Sequence, residues 1–313
     1  MAMTMAIGRF ASISLWFLIL FAIHSYQPSM AHEDIEKRLK FEQGWPVLQE
    51  AAAKTIRIAD GADDQRFTSQ EYMFYYSTVY DMCKPMQEKD HCQELYDQYK
   101  KIFEDYITCK VLPSLRGMEG EILLRELARR WSNYQVITRW VSRFFNYLNR
   151  YFLPIRKLPS LKETSFIIFY DLVYGEMNDQ VRDALITVIN RERNGEQIDQ
   201  AVMKNILAIY VEFGMDSMKY YNKDFEEAMV QDTSAFYSEK ASSWIKSESY
   251  ENYMLKAKDC LINERERAHS YLQSSSLKKL LEVVEHELLS VYASDLQEKK
   301  QLEEFPLTDT MIP

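Results

Sequence analysis

With 313 residues, the chain is long enough to bury a sizeable core and, by length alone, to form two domains. Hydrophobic residues make up 47% of it, which excludes wholesale disorder, and only eight Gly and eight Pro interrupt it, which favours long helices over many short strands. The 38 basic and 47 acidic residues give a net charge of −9, which argues against a nucleic-acid-binding protein.

The chain begins with an apolar run over residues 10–26. Arg9 precedes the run and small residues around Ala31 follow it, an arrangement that is typical of a secretory signal peptide. The run is short for a membrane span, which needs about 20 residues. The four cysteines have no regular spacing and instead favour a reducing compartment. Residues 1–31 are therefore interpreted either as a signal-like leader or as an extension joined to an intracellular protein.

Helical patterns dominate after the leader. Thr68 and Ser69 predict the start of a helix whose first turn holds Glu71, a charge that suits the helix dipole. Pro85, Pro113 and Pro154 predict helix ends. The predicted helices cover residues 32–59, 71–83, 92–112, 119–130, 132–152, 163–176, 179–193, 199–213, 218–235, 237–245, 250–273 and 278–297. The sequence thus predicts an all-α protein with no β-sheet.

A faint internal repeat accompanies these helices. Tyr99 and Phe103 line up with Tyr221 and Phe225 at an offset of 122 residues. A repeat of about that length fits a rod of stacked helical units.

The sequence lacks the usual signatures of catalysis, including the phosphate loop, the dinucleotide fingerprint, the nucleophile elbow and the paired-histidine zinc motif. Cys83, His91 and Cys92 come nearest to a metal cluster, but their spacing matches no common zinc pattern. The abundant carboxylates suit solvated helix faces better than an acid–base pair. We therefore expect no catalytic residue, no metal, no cofactor and no small-molecule substrate.

The segment 70–83 is apolar on two sides of a predicted helix, at about 100° per residue. Such a helix is either fully buried or packed on the core with one side and on a partner with the other. Its many tyrosines favour an interface, since the hydroxyl tolerates a wet rim while the ring anchors. One face carries Tyr72, Met73, Tyr76, Val79, Tyr80 and Cys83, and the other carries Phe74, Tyr75 and Met82.

A series of motifs in the same order resembles the cullins, the scaffold subunits of multi-subunit ubiquitin-protein ligases. The resemblance covers roughly residues 42–293 and is strongest to plant cullins of the SCF class. The motifs include Glu42–Trp45, Tyr72-Met73 with Tyr76 and Val79-Tyr80, Arg130-Trp131, Tyr147–Tyr151, and Tyr253-Met254 with Lys256-Ala257. The resemblance implies an elongated rod of cullin repeats, each an antiparallel helix bundle, over residues 32–158 and 159–276, with the start of a third repeat at 277–313.

The resemblance also implies a function for the first repeat. In that family, its second and fifth helices bind a Skp-type adaptor that carries an F-box protein. Carried over residue by residue, the adaptor-binding residues would be Tyr72, Met73, Tyr76, Val79 and Tyr147.

The family continues past the point where this sequence stops, into a half that binds a RING subunit, so we expect no RING subunit as a partner. The resemblance places the protein in the cytoplasm and nucleus. The leader keeps a second hypothesis open, namely a secretory or membrane-tethered helical interaction protein that has lost adaptor binding.

Overall fold

The computed structural model describes residues 39–62, 66–84, 90–215 and 217–304. Every regular element in these ranges is a helix, so the all-α prediction is confirmed. The leader lies outside the described residues. The helices belong to the unit Phe41–Pro313, and they are α1 (Phe41–Ala59), α2 (Ser69–Cys83), α3 (92–115), α4 (Gly120–Phe144), α5 (146–156), α6 (161–193), α7 (Gln200–Phe213), α8 (219–247), α9 (Tyr250–Tyr271), α10 (276–290) and α11 (Ala293–Glu304).

The first group of helices is organised around α4. Helices α1 and α2 pack against it and against each other, and α3 packs against the start of α6. Aromatic rings fill the core: Tyr134 lies 5.2 Å from Phe103 and 4.8 Å from Phe169, measured between ring centroids. These three side chains are fully buried, so their rings form part of the packed core.

Helix α6 lies in the middle of the series. It contacts α3 and α4, which precede it in the chain, and α7 and α8, which follow it. Beyond it, α8, α9 and α10 pack together around Tyr237, Tyr253 and Leu288, which are all buried. The helices therefore form one continuous packed series from α1 to α11.

Five of the helices contain a π-turn, and two of these turns come just before a proline. In α3 the π-turn Ile107–Val111 precedes Pro113, and in α5 the π-turn Leu148–Phe152 precedes Pro154. A proline lacks the N–H group and crowds the carbonyl one turn earlier, whereas the wider turn moves that carbonyl away. The predicted helix ends at these two prolines are therefore wrong.

Other predicted boundaries are also wrong. Helix α4 runs unbroken through Trp131, whose ring packs 4.8 Å from Phe169, and ends at Phe144. Helices α6 and α8 are each continuous where two helices were predicted. Each contains a π-turn, at residues 170–174 and 222–226, and continues as an α-helix through the predicted break. The predicted helix 278–297 is interrupted between α10 and α11.

The aligned tyrosines of the internal repeat have similar environments. Tyr99 and Tyr221 are both fully buried. The Tyr99 hydroxyl donates to the carbonyl of Leu161, the first residue of α6, at 2.8 Å. The Tyr221 hydroxyl lies 2.9 Å from Oγ of Ser276, the first residue of α10. Each tyrosine thus ties its helix to the start of a later one, while the boundaries of the two repeats remain a prediction.

Candidate functional site

The start of α2 is fixed by a capping box. Oγ1 of Thr68 accepts from the backbone N–H of Glu71, and the Glu71 carboxylate accepts from the backbone N–H of Thr68. Lys54 of α1 donates to the same carboxylate at 2.7 Å. These hydrogen bonds, chiefly the one from Lys54, lower the pKa of Glu71 to about 2. The first turn of α2 is therefore tied to α1.

The inner face of α2 is closely packed. Val79 and Met82 are 0% exposed, and Thr78 and Cys83 are also buried. Closer to the start of α2, Tyr75 is half-buried with its ring 5.1 Å from Phe144 of α4. This face accounts for the position of α2 and leaves its opposite face free to meet solvent.

The outer face of α2 presents large apolar side chains. Met73 is 57% exposed, Phe74 56% and Tyr80 41%. Tyr72 and Tyr76 are half-buried, with ring centroids 6.3 Å apart. Exposed methionine and aromatic side chains in one place are typical of protein-binding surfaces.

Helix α5 extends this surface. Tyr147 is half-buried, its ring meets Tyr80 edge-on at 5.5 Å, and Tyr151 lies a further 4.9 Å away with 52% of its side chain exposed. Burial raises the pKa of Tyr147, so its hydroxyl remains a neutral hydrogen-bonding group at physiological pH. We call the patch formed by Tyr72, Met73, Tyr76, Tyr80, Tyr147 and Tyr151 the α2–α5 surface.

Basic side chains border the α2–α5 surface. The Arg143 guanidinium lies 5.5 Å from the ring centroid of Tyr72, and the Lys84 ammonium lies 4.8 Å from that of Tyr80. Both contacts have the geometry of a cation–π interaction, which holds the ring in place. Lys84 is also ion-paired with Asp81 at 3.4 Å, so the positive charge at this edge comes mainly from Arg143. The surface thus combines pre-oriented aromatic rings with a basic group at its border, which suits a partner that offers apolar and acidic groups.

Four of the five residues that the resemblance implicated lie on this surface: Tyr72, Met73, Tyr76 and Tyr147. Val79 does not, because its side chain is enclosed beneath α2 and has no exposed area. Direct contact of Val79 with a partner is therefore a wrong expectation. Tyr80 was omitted from that set although it is exposed, and its place in the same helical face was the signal that could have included it.

The described ranges contain no group of three or more His, Cys, Asp or Glu side chains arranged to hold a metal ion. Cys83 and Cys92 are buried, while Nδ1 of His91 lies 2.6 Å from the Glu94 carboxylate. None of the helices in these ranges has the length and apolar character that a membrane span needs.

The sequence matches the family described as the Cullin alpha solenoid domain over residues 45–311. It is 50% identical over 264 residues to Cullin-1 of Oryza sativa subsp. japonica, and the aligned region covers 84% of this chain and 36% of the rice protein. It is 44% identical over 255 residues to Putative cullin-like protein 2 of Arabidopsis thaliana, covering 81% of this chain and 68% of that protein. It is 40% identical over 245 residues to Cullin-like protein 3 of Arabidopsis thaliana, covering 78% of this chain and 94% of that protein.

The continuous packed series of helices is that of a helical solenoid. The chain belongs to the cullin family, whose members are scaffold subunits of ubiquitin-protein ligases. The predicted resemblance is thereby confirmed. The chain spans only about a third of the length of the rice relative.

Proposed function

We propose that this chain is a non-catalytic scaffold that binds a Skp-type adaptor carrying an F-box protein through the α2–α5 surface. By resemblance to its family, it would do so in the cytoplasm and nucleus and take part in ubiquitin-dependent protein breakdown. The single observation that supports this proposal best is the exposure of Met73 beside Tyr72 and Tyr76 on a helix whose other face is fully packed.

The energetics fit such a role. Side chains that anchor a desolvated interface each contribute about 1–3 kcal/mol on truncation, and aromatic residues are common among them. The rings of α2 and α5 are already held by their neighbours, so binding would order few additional side chains. Because its rings are pre-oriented, this aromatic patch would lose little side-chain entropy when it binds an adaptor.

The proposal is tested by calorimetric titration of the chain with a purified Skp-type adaptor in complex with an F-box protein. We expect wild type to bind and Met73→Ala/Tyr76→Ala to bind about a hundredfold more weakly, because two anchors of about 1.5 kcal/mol each are removed. Circular dichroism melting should show that the double variant keeps its fold, since Met73 is exposed and Tyr76 is only half-buried.

Two control variants test whether the loss of binding is specific to the exposed face of α2. Val79→Ala shortens a buried side chain of the same helix, and Leu255→Ala shortens a 59% exposed side chain on α9. Both should bind the adaptor like wild type at a temperature well below their melting points. Equal affinity of wild type and Met73→Ala/Tyr76→Ala would contradict the proposal.

A further inference from the structure

A second apolar surface lies away from the α2–α5 surface. A groove of about 560 Å³ runs between the loop that joins α5 to α6 and the loop that joins α7 to α8. Its exposed apolar side chains are Leu158 (36%), Ile167 (44%) and Met215 (37%), with Phe213 buried beneath them. We call it the α6–α7 groove.

Two strained residues form its walls. Lys157 has φ 55° and Met215 has φ 46°, and they are the two non-glycine residues with positive φ in the described part of the chain. For a residue with a Cβ, the left-handed conformation costs about 1–2 kcal/mol, and glycine would avoid that cost. At both positions the chain instead carries a long side chain that lines the groove. Lys157 is the left-handed cap of α5 and Met215 lies just past the end of α7, so each of these turns also ends a helix.

The loop around Met215 is also held in place by close packing. A Cβ added to Gly214 would lie 1.8 Å from the carbonyl oxygen of Ser217, so this position admits only glycine. The carbonyl of Gly214 accepts from the backbone N–H of Ser217 at 2.9 Å. The wall of the groove is therefore preformed, which reduces the ordering needed on binding.

The edge of the groove carries positive charge. Among the described residues, neither Lys157 nor Lys219 has a carboxylate within salt-bridge distance, and the Lys219 ammonium rests 5.4 Å from the ring centroid of Tyr220. The one described acidic residue of the lining, Glu163, already accepts from the backbone N–H of Ser160 at 2.7 Å as part of a capping box. The described lining thus carries two ammonium groups against one carboxylate, and together with the apolar floor this net positive charge complements a ligand that is both acidic and apolar.

We propose that the α6–α7 groove binds a short segment of a partner protein in which a bulky apolar side chain is flanked by carboxylates. The apolar side chain contacts Ile167 and Met215, and the carboxylates pair with Lys157 and Lys219. The groove shares no residue with the α2–α5 surface, so the chain would hold a second protein independently of the adaptor.

The test begins with selection of a library of short random peptides on the purified full chain. We expect the enriched peptides to combine Asp or Glu with Leu, Ile, Phe or Met. The affinity of the best peptide, measured by fluorescence anisotropy, should fall as NaCl rises from about 50 to about 500 mM, because salt screens the lysine–carboxylate pairs.

Variants of the groove locate the binding. Lys157→Glu/Lys219→Glu should bind the peptide at least about tenfold more weakly, and Ile167→Asp should abolish binding by placing a charge on the apolar floor. Leu255→Asp, at an exposed apolar position of α9, is the matched control and should bind like wild type.

Each groove variant should keep its melting temperature and its affinity for the adaptor, whereas Met73→Ala/Tyr76→Ala should keep its affinity for the peptide. The two proposals can therefore fail separately. The groove proposal is overturned if no acidic and apolar peptide is enriched, or if enriched peptides bind Ile167→Asp and the double lysine variant as tightly as wild type.

Discussion

Val79 and Tyr80 are neighbours in α2, yet their side chains have opposite surroundings. Val79 is fully enclosed, while 41% of Tyr80 is exposed and its ring meets Tyr147. A helix turns by about 100° at each residue, so adjacent side chains lie on different faces. Which of two apolar faces packs inward depends on α4, and the sequence of α2 alone carries no information about that neighbour. The sequence placed Val79 and Tyr80 on one apolar face, whereas the structure buries Val79 and exposes Tyr80.

The charge on Glu71 should make the stability of the protein depend on pH. The folded-state pKa of Glu71 is lowered from 4.5 to about 2, so its stabilising contribution is present above about pH 4.5 and is lost as the pH falls towards 2. We expect Glu71→Gln to unfold at lower denaturant concentration than wild type at neutral pH, and the difference to shrink as the pH falls from 4.5 to 2. Urea unfolding, monitored by circular dichroism at each pH, measures this difference between the two proteins.

The control for this effect is Glu239→Gln, an exposed position in the middle of α8. Its unfolding should follow that of wild type at every pH, because its side chain takes part in no capping box. A difference between Glu71→Gln and wild type that stays constant down to pH 2 would contradict the assignment.

At the scale of helices, the caps were predictable and the helix ends were less so. Thr68 was assigned to the start of α2 because its side chain satisfies a local backbone N–H, an interaction between residues three apart. By contrast, Pro113 and Pro154 lie inside helices because a π-turn precedes each of them. A π-turn has no compositional signature and depends on packing with other helices, so the local pattern could not reveal it.

Three helices are joined by a buried ionic network. The carboxylate of Glu264 on α9 is 0% exposed, accepts from Arg193 of α6 at 2.8 Å and from the Tyr237 hydroxyl of α8 at 2.7 Å, and also accepts from Arg267. Removing Glu264 would leave each of the two buried guanidinium groups with one carboxylate fewer, Arg193 retaining Asp232 and Arg267 retaining Glu192. These contacts fix α6, α8 and α9 relative to one another.

We expect Glu264→Ala to lower the free energy of unfolding by about 3 kcal/mol, since Arg193 and Arg267 would each lose a buried carboxylate partner and keep only Asp232 and Glu192, respectively. Glu266→Ala, at an exposed position two residues later on the same helix, should change it by less than about 0.5 kcal/mol. Chemical denaturation of the three proteins provides the comparison. A loss for Glu264→Ala no larger than that for Glu266→Ala would show that the network contributes little.

For the molecule as a whole, the sequence predicted the fold class and pointed to residues of the α2–α5 surface, but it did not reveal the α6–α7 groove. The α2–α5 surface was accessible to prediction because its main residues are close together on one helix with a clear period. The α6–α7 groove could not be predicted, because Leu158 and Met215 come from two loops that only the packing of α6 and α7 brings together. Its strained backbone at Lys157 is likewise invisible in a pattern of residue types.

The central claim is that a partner adaptor contacts the exposed face of α2, and site-specific photocrosslinking tests it most directly. A benzophenone amino acid would replace Met73 in one preparation and Leu255 in another, and each would be irradiated with the adaptor–F-box complex. We predict a covalent product with the adaptor from position 73 and none from position 255. Crosslinking from position 255 but not from position 73 would contradict the account.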